Sequence, residues 1–358
     1  MEWTTLYDAN ADGMRQAVLL GVVGSKRAVY LEQAMMQMGV PLQVVDFNKW
    51  REDLPAHEIF LKIDPPQWES AALTDLIPLM KGYYEDLISL ERRAKRYPME
   101  FFNAPSTIRT LLDKRLCKQI LKQKGLPVTE TLGKGVGEDV VHTMEELLEW
   151  MREQAVCQVF IKPVCGSGAL GVSAFRIQPS TGRMVLYTCT AWDEIGRLVN
   201  TKRLVRVSKR DEICQVLSAL LEMDCIVERW YAKAEYQGYS YDLRAVVQDD
   251  RIDFLLARLS KGPITNLQLN NRPLAIEALH LSEDLTEKIV KLCREAMTCF
   301  PGLRSAGIDL LLERGSLRPR IIEMNAQGDL IYQDIYGQNQ IYHHQAKMIR
   351  EWIGQEEE

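Results

Sequence analysis

A chain of 358 residues is longer than one hydrophobic core usually covers, so two or three domains are expected. The hydrophobic fraction of 46% and the charged fraction of 26% are ordinary for a globular protein, and the net charge of -5 argues against a general nucleic-acid surface. The eight cysteines form no CxxC pair, and the sequence shows neither a signal pattern nor a membrane span, so a cytoplasmic protein is expected.

The first segment predicts the opening of an open α/β sheet. QAVLLG is typical of a buried strand, AVYLEQAMMQMG of an amphipathic helix, and QVVDF of a second strand. The intervening GVVGSK matches neither GxGxxG nor GxxxxGK[ST], so a tight turn is favoured there over a phosphate-binding role. A domain boundary is expected near FFNAPS, residues 101–106.

A helix follows this boundary, and Ser106 is expected to cap it. One continuous helix is predicted by an apolar stripe that comprises Ile108, Leu111, Leu112, Leu116, Ile120 and Leu121. Gly125 and Pro127 are expected to end it. Lys114 lies off the stripe, where a lysine is usually a solvated surface charge.

The segment CQVFIKPVCGSGALGV predicts a strand that leads into a glycine-rich loop. Lys162 lies on one face of the strand, and the loop contains Gly166, Ser167, Gly168 and Gly171. Bare backbone amides in such a loop can approach phosphate oxygens closely, and the lysine can supply a positive charge to the same phosphates. The alternative interpretation is a hairpin loop that binds no ligand.

Two arginines follow on neighbouring predicted strands. A buried strand, CIV, leads into the connector Glu228 to Tyr231, whose backbone and aromatic rings suit a purine. YDLRAVV then predicts a strand with Asp242 and Arg244 on one face, and its partner RIDFLLARLS carries Arg258 near its end. Arginines at strand ends suit carboxylate or phosphate oxygens, although each alone is more often part of a surface salt bridge.

An amphipathic helix, LSEDLTEKIVKLCREAMTCF, precedes a hairpin with three polar side chains: Asp309, Glu323 and Asn325. With the turn near Ser316, Asp309 is expected to lie directly across from Glu323, with Asn325 on the same face. Opposed carboxylates repel unless a cation lies between them, and Mg²⁺ prefers such oxygen ligands. A solvated edge hairpin is the alternative.

The hydrophobic side of the same hairpin is expected to pair Ile308, Leu310 and Leu312 with Ile322 and Met324. The tail from Ile331 is expected to form a closing helix. Its adjacent histidines, His343 and His344, would point to different sides of that helix and so predict no metal site.

Taken in chain order, these motifs resemble the ATP-grasp superfamily, and within it the branch of glutathione synthetase and the ribosomal-protein glutamate ligases. The resemblance covers about residues 100–330. It implies an α/β fold, α+β in the lid, in which a Rossmann-like open-sheet N-terminal domain (1–104) precedes an ATP-grasp domain (105–358). The lid subdomain would span about residues 128–228 and the C-terminal subdomain about residues 229–358.

The resemblance also implies roles for residues at the matching positions. The ATP-binding residues would be Lys114, Lys162, Gly166, Ser167, Gly168, Gly171, Glu228, Arg229, Trp230, Tyr231 and Glu235, with Lys233 as an alternative ribose contact. The catalytic residues would be Lys162, Arg244 and Arg258, and the ligands of Mg²⁺ or Mn²⁺ would be Asp309, Glu323 and Asn325. The glycine-rich loop would close over the phosphates.

The activity implied by this resemblance is that of an ATP- and Mg²⁺-dependent carboxylate-amine ligase. Such an enzyme forms an amide or peptide bond through an acyl phosphate and releases ADP and phosphate. The expected substrates are an amino acid or small peptide that supplies the carboxylate and an amine, with neither nucleic acid nor membrane as partner. A ligase that modifies a peptide or protein and a kinase that phosphorylates an alcohol stay open, as does the oligomeric state.

Overall fold

The computed structural model describes residues 15–68, 72–133, 140–166, 169–328 and 338–354. The contacts within the chain define two compact units. The first comprises Met1–Gln67, Ser89–Asn103 and Leu330–Glu358, and the second comprises Trp68–Ile88 and Ala104–Asp329. The domain boundaries predicted above stay predictions.

The first unit contains a four-stranded parallel sheet in the order β2-β1-β3-β4. Its strands are β1 (Gln16–Gly21), β2 (Leu42–Asp46), β3 (Ile59–Ile63) and β4 (Met99–Phe101). The residues of β3 are all buried, as is usual for a parallel sheet covered on both faces. The predicted opening of an open α/β sheet is confirmed.

Three helices accompany this sheet: α1 (Lys26–Gln37), α2 (Trp50–Asp53) and α9 (Gln340–Ile353). The hydroxyl of Ser25 accepts a hydrogen bond from the amide of Ala28 and so caps α1. The closing helix predicted for the tail is α9, which packs against α1. None of the helices in the described ranges is both long enough and apolar enough to cross a membrane.

The helical segment after the first sheet differs from its prediction. Following α3 (Leu76–Ala94), the chain forms α4 (Pro105–Leu112) and α5 (Lys114–Gln123) in place of one continuous helix. Helix α4 begins at Pro105 with Ala104 as its cap, so Ser106 lies inside the helix. Asp113 breaks the two apart, because its extended backbone and its carboxylate, which accepts from the next amides, cap α5.

The first sheet of the second unit has six antiparallel strands in the order β5-β10-β6-β7-β8-β9. The strands are β5 (Thr131–Leu132), β6 (Gln158–Pro163), β7 (Ser173–Ile177), β8 (Met184–Trp192), β9 (Leu198–Val207) and β10 (Cys225–Arg229). Helices α6 (Met144–Glu153) and α7 (Arg210–Leu221) share a core with the sheet. Val159 and Ile161 enter that core, which leaves Phe160 and Lys162 on the other face of β6.

The second sheet of this unit has the order β14-β13-β12-β15-β16, with β11 paired to β12. Its strands are β11 (Glu235–Tyr236), β12 (Tyr239–Gln248), β13 (Arg251–Ser260), β14 (Arg272–Ala275), β15 (Ser305–Leu312) and β16 (Pro319–Asn325). Helix α8 (Glu283–Thr298) packs on one face, where Leu243 and Ala245 are buried. Asp242 and Arg244 therefore share the opposite face, as predicted.

Candidate active site

The second unit contains a cleft with about 710 Å³ of empty space that is open to solvent. Its lining comes from β6, from the connector after β10, and from strands β12, β13, β15 and β16. Distant parts of the sequence thus supply one cavity.

Lys114 is turned into this cleft by the break between α4 and α5. Its backbone amide donates to the carbonyl of Val164 at 3.1 Å, and its Nζ donates to the carbonyl of Gly166 at 2.6 Å. The side chain is buried and lines the cleft, so it is not a solvated surface charge. The cap at Asp113 supplies the change of direction that the apolar stripe did not reveal.

The carboxylate of Glu228 pairs with the ammonium groups of two lysines, Lys162 and Lys118. Its carboxylate is 3.0 Å from Nζ of Lys162 and 3.3 Å from Nζ of Lys118, and it accepts a hydrogen bond of 2.8 Å from the hydroxyl of Thr129. All four side chains are buried. Burial acts to raise the pKa of Glu228, but the charges of Lys118 and Lys162 outweigh it and lower the pKa below its usual value.

Sequence reasoning missed Lys118 and Thr129. Lys118 follows Lys114 by four residues on α5, and that spacing places both lysines on one side of the helix. This spacing could have indicated that Lys118 lies near Lys114, but no local pattern identified Glu228 as the partner of Lys118. Burial lowers the pKa of Lys118 below its usual value, and the negative charge of the nearby Glu228 opposes part of that shift.

The connector after β10 places aromatic rings beside the cleft. The ring of Trp230 packs at 5.4 Å from that of Phe160, and the guanidinium of Arg320 lies 4.5 Å from the ring of Tyr231. Arg229 and Tyr231 line the cleft, and Nε of Arg229 pairs with Glu130 at 3.2 Å. The connector thus places flat aromatic surface beside the open space of the cleft, which suits the stacking of a purine base.

Of the two candidate ribose contacts, the structure brings only Lys233 to the lining of the cleft. Its Nζ donates to the hydroxyl of Thr265 at 2.7 Å and lies 3.4 Å from Asp242. Glu235 pairs with Arg314 outside the lining.

The glycine-rich loop is described only in part, because Ser167 and Gly168 lie outside the described residues. Gly166 lines the cleft. Gly171 is not part of the lining, and its amide donates to Oδ1 of Asn200 at 3.1 Å. With φ of +64° and an added Cβ only 2.7 Å from Cγ of Pro163, this position accepts only glycine without strain.

Four charged side chains meet on the cleft face of the second sheet. Arg258 lies across from Asp242 and donates to it through Nε at 2.7 Å and Nη2 at 2.9 Å. Arg244 lies across from Asp309 and donates to it at 2.5 Å. Nη2 of Arg258 also reaches Asp309, at 3.0 Å. Direct cross-strand pairing explains the contacts of Arg258 with Asp242 and of Arg244 with Asp309, because opposed side chains on one face lie closest together. Strand β12 lies between β13 and β15, so Arg258 reaches Asp309 across one intervening strand.

The hairpin of β15 and β16 pairs Asp309 directly with Glu323, as predicted. A bulge follows at Asp309, so that Leu310 pairs with Ile321. The core therefore receives Ile321 and Met324, whereas Ile322 lines the cleft and is not the core partner that strict alternation predicted.

Asn325 completes the predicted set of metal ligands. Its Nδ2 donates to Oε1 of Glu323 at 3.3 Å, and both residues line a smaller cavity that Lys114 also lines. Burial acts to raise the pKa of Glu323, but Lys114 and other nearby cations together with Asn325 lower it below its usual value, which keeps the carboxylate ionised.

Within the described ranges, no three His, Cys, Asp or Glu side chains are grouped as a metal site. Two carboxylates and one amide are nevertheless a fitting donor set for Mg²⁺, which usually takes few protein ligands and completes its shell with water and phosphate oxygens. The residues present therefore fit this cation better than Zn²⁺, which prefers His and Cys.

The arrangement of sheets is the fold of the ATP-grasp ligases, and the predicted fold is confirmed. The macrocyclase MdnC from Microcystis aeruginosa MRC, solved with its precursor peptide MdnA, is 14% identical over 94% of this chain and 100% of that chain, with a TM-score of 0.60. The ATP-grasp ligase PsnB, solved with a minimal precursor, Mg and ADP, is 14% identical over 94% and 98%, with a TM-score of 0.56.

D-alanine–D-alanine ligase from Bacillus anthracis, solved with ATP, is 15% identical over 96% of this chain and 100% of that chain, with a TM-score of 0.54. No protein-family model matches the sequence, and no curated protein matches it. At these identities the likeness establishes the fold alone.

Proposed function

We propose that this chain is an ATP- and Mg²⁺-dependent carboxylate-amine ligase that releases ADP and phosphate. The observation that carries this proposal is that Lys114, Lys162 and Arg258 line the same cleft as the opposed carboxylates of Asp309 and Glu323. Lysines and arginines suit the oxygens of a polyphosphate, and the opposed carboxylates suit a hard divalent cation. The fold shared with ATP-grasp ligases supports this assignment.

The nucleotide would lie with its base against the connector after β10 and its phosphates toward the lysines. Phe160 and Tyr231 supply flat surface in the lining of the cleft, and Lys114 and Lys162 lie in the same lining. Lys233 is better placed than Glu235 for the ribose, because Glu235 is held by Arg314 outside the lining. Glu228, buried under its lysines, would orient Lys162 and not touch the base through its carboxylate.

In the proposed reaction, ATP transfers its terminal phosphoryl group to a substrate carboxylate, and Mg²⁺ supplies charge neutralisation at the phosphate oxygens. Lys114 and Lys162 would neutralise the leaving phosphates as point charges. Arg244 and Arg258 would hold the transferring group and the resulting acyl phosphate through their planar donor pairs. An amine then attacks the acyl carbon, phosphate leaves, and the amide forms.

The substrates we favour are an amino acid or a small peptide. A ligase that modifies a larger peptide or a protein is the second candidate, because MdnC and PsnB were solved with precursor peptides and share this fold over 94% of the chain. The eight free thiols support a cytoplasmic location. A domain boundary near residue 104 is part of the same proposal.

The test is nucleotide turnover with Mg²⁺ and ATP, in which pools of carboxylates are crossed with pools of amines. ADP and free phosphate that depend on both pools would support the ligase, whereas phosphate retained on an alcohol product would support a kinase. Turnover that appears only with an added peptide would favour the second candidate. The variant Lys162→Met tests the role of this lysine. Methionine has a similar length but no charge, so the variant enzyme should lose most of its turnover.

A further inference from the structure

The second half of the glycine-rich loop forms a tight turn over residues 169–172. The amide of Val172 donates to the carbonyl of Ala169 at 3.2 Å, and the backbone takes a φ of +65° at Ala169 and +64° at Gly171. The left-handed region is unfavourable for alanine, because its Cβ crowds the backbone there. Such a conformation persists only where surrounding contacts hold it, and it is concentrated at functional sites.

A buried thiol on β8 holds the first residue of this turn. Sγ of Cys189 donates to the carbonyl of Ala169 at 3.0 Å, and the carbonyl of Val172 and Oδ1 of Asn200 lie 3.6 Å and 3.2 Å from the same sulfur. Cys189 is 0% exposed. Burial raises the pKa of its thiol to about 11, so the sulfur keeps its proton at neutral pH and acts as a donor.

Asn200 on β9 holds the other left-handed residue of the turn. Its Oδ1 accepts from the amide of Gly171 at 3.1 Å and from the thiol of Cys189 at 3.2 Å. Strands β8 and β9 are paired, with Asn200 directly across from Thr190, the residue after Cys189. The sheet therefore fixes the spacing of the two side chains that hold the turn.

The turn borders the cleft, whereas the two side chains that hold it do not. Ala169, Leu170 and Val172 line the cleft together with Lys114 and Lys162. The described residues of that lining include neither Cys189 nor Asn200. Any effect of these two residues on a ligand in the cleft is therefore exerted through the turn.

We propose that Cys189 and Asn200 are positioning residues, which hold the turn 169–172 in the conformation that a bound nucleoside polyphosphate requires. Neither residue touches the ligand. The thiol holds the carbonyl of Ala169 and Asn200 holds the amide of Gly171, so both left-handed residues are fixed before the nucleotide binds. Binding then does not have to order this half of the loop, which raises affinity. This inference rests on the proposed function and adds two residues outside the loop to its nucleotide site.

The experiment measures, by equilibrium dialysis, the dissociation constant of a non-hydrolysable ATP analogue in the presence of Mg²⁺. Cys189→Ala removes the thiol donor, and Asn200→Leu removes the acceptor at similar size. Each should weaken binding of the analogue by roughly two- to tenfold, as expected when one hydrogen bond is lost. Cys189→Ser keeps a donor at the same position and should bind within about twofold of the wild type.

The matched control is Cys293→Ala, which shortens another thiol that is 0% exposed, in the core of the second sheet. It should bind the analogue as the wild type does, even where thermal unfolding by circular dichroism shows that Tm falls as far as in Cys189→Ala. An equal loss of affinity in Cys293→Ala would show that general destabilisation is the cause and would overturn the inference.

Two further results would overturn the inference while the proposed function stands. One is wild-type affinity in both Cys189→Ala and Asn200→Leu, and the other is a Cys189→Ser variant that binds as weakly as Cys189→Ala. A wild-type chain that does not bind the analogue at all would instead overturn the proposed function, and this inference with it.

Discussion

Glu228→Gln is the perturbation whose effect follows most directly from the structure. The amide keeps the size of the side chain and can still accept from Thr129, but it removes the charge that Lys118 and Lys162 share. Both ammonium groups would then be buried without the carboxylate that contacts them. The substitution therefore tests whether the carboxylate stabilises the fold by pairing with the two lysines or contributes only to ligand binding.

The expected magnitude is that of breaking a buried ion pair, about 3–5 kcal/mol in the free energy of unfolding. For a unit of this size, that corresponds to a fall in Tm of about 6–20 °C. A purely ligand-binding role would leave Tm nearly unchanged in the absence of nucleotide. The structure favours the large effect, because Glu228 is 1% exposed.

The assay is thermal unfolding by circular dichroism at pH 7, without nucleotide. The matched control is Glu212→Gln, which removes an exposed carboxylate paired with Lys209 at 2.9 Å and should change Tm little. The double variant Glu228→Gln/Lys118→Met should recover part of the loss, because it removes one of the two facing charges. A Tm for Glu228→Gln equal to that of the control would refute the reasoning.

The pH dependence has a definite sign. In the wild type the pKa of Glu228 is lower in the folded state than its usual 4.5, so its contribution to stability is complete above that value and is lost as the pH falls through the folded pKa. In Glu228→Gln this acid-sensitive contribution is missing. The difference in Tm between wild type and variant should therefore shrink as the pH is lowered below 4.5.

Two further outcomes are expected. Glu323→Gln and Asp309→Asn should each abolish ADP formation while the far-ultraviolet circular dichroism is retained, and near-normal ADP formation in either variant would contradict their assignment as metal ligands. Gly171→Ala should lower Tm by several degrees more than Gly182→Ala, since both have positive φ but only Gly171 would bring its Cβ against Pro163. Equal changes in Tm would show that the close contact is relieved without cost.

Local patterns were sufficient for much of the fold and for several relations within the site. Alternation along one strand placed Asp242 and Arg244 on one face, and the length of the hairpin turn placed Asp309 across from Glu323. The period of two along a strand determines the first relation, and the position of a single turn determines the second. The order of the motifs then indicated the ATP-grasp fold, which the structure confirms.

Tertiary structure alone decided the contacts that join distant segments. Lys162 and Glu228 are 66 residues apart, and no periodicity within either strand indicates that the lysine neutralises the glutamate. The break at Asp113 and the bulge beside Asp309 each shifted a side chain from its expected side, which turned Lys114 and Ile322 into the cleft.

The physical reason is the range of the interactions. Which face of a strand or helix a side chain takes is set by backbone geometry over a few residues, and the sequence displays that geometry directly. Which charge it meets across a buried cleft depends on how whole sheets pack and on the cost of leaving an ion unpaired away from water. The folded chain avoids this cost because Glu228, Asp242 and Asp309 each pair with cations from other strands or helices.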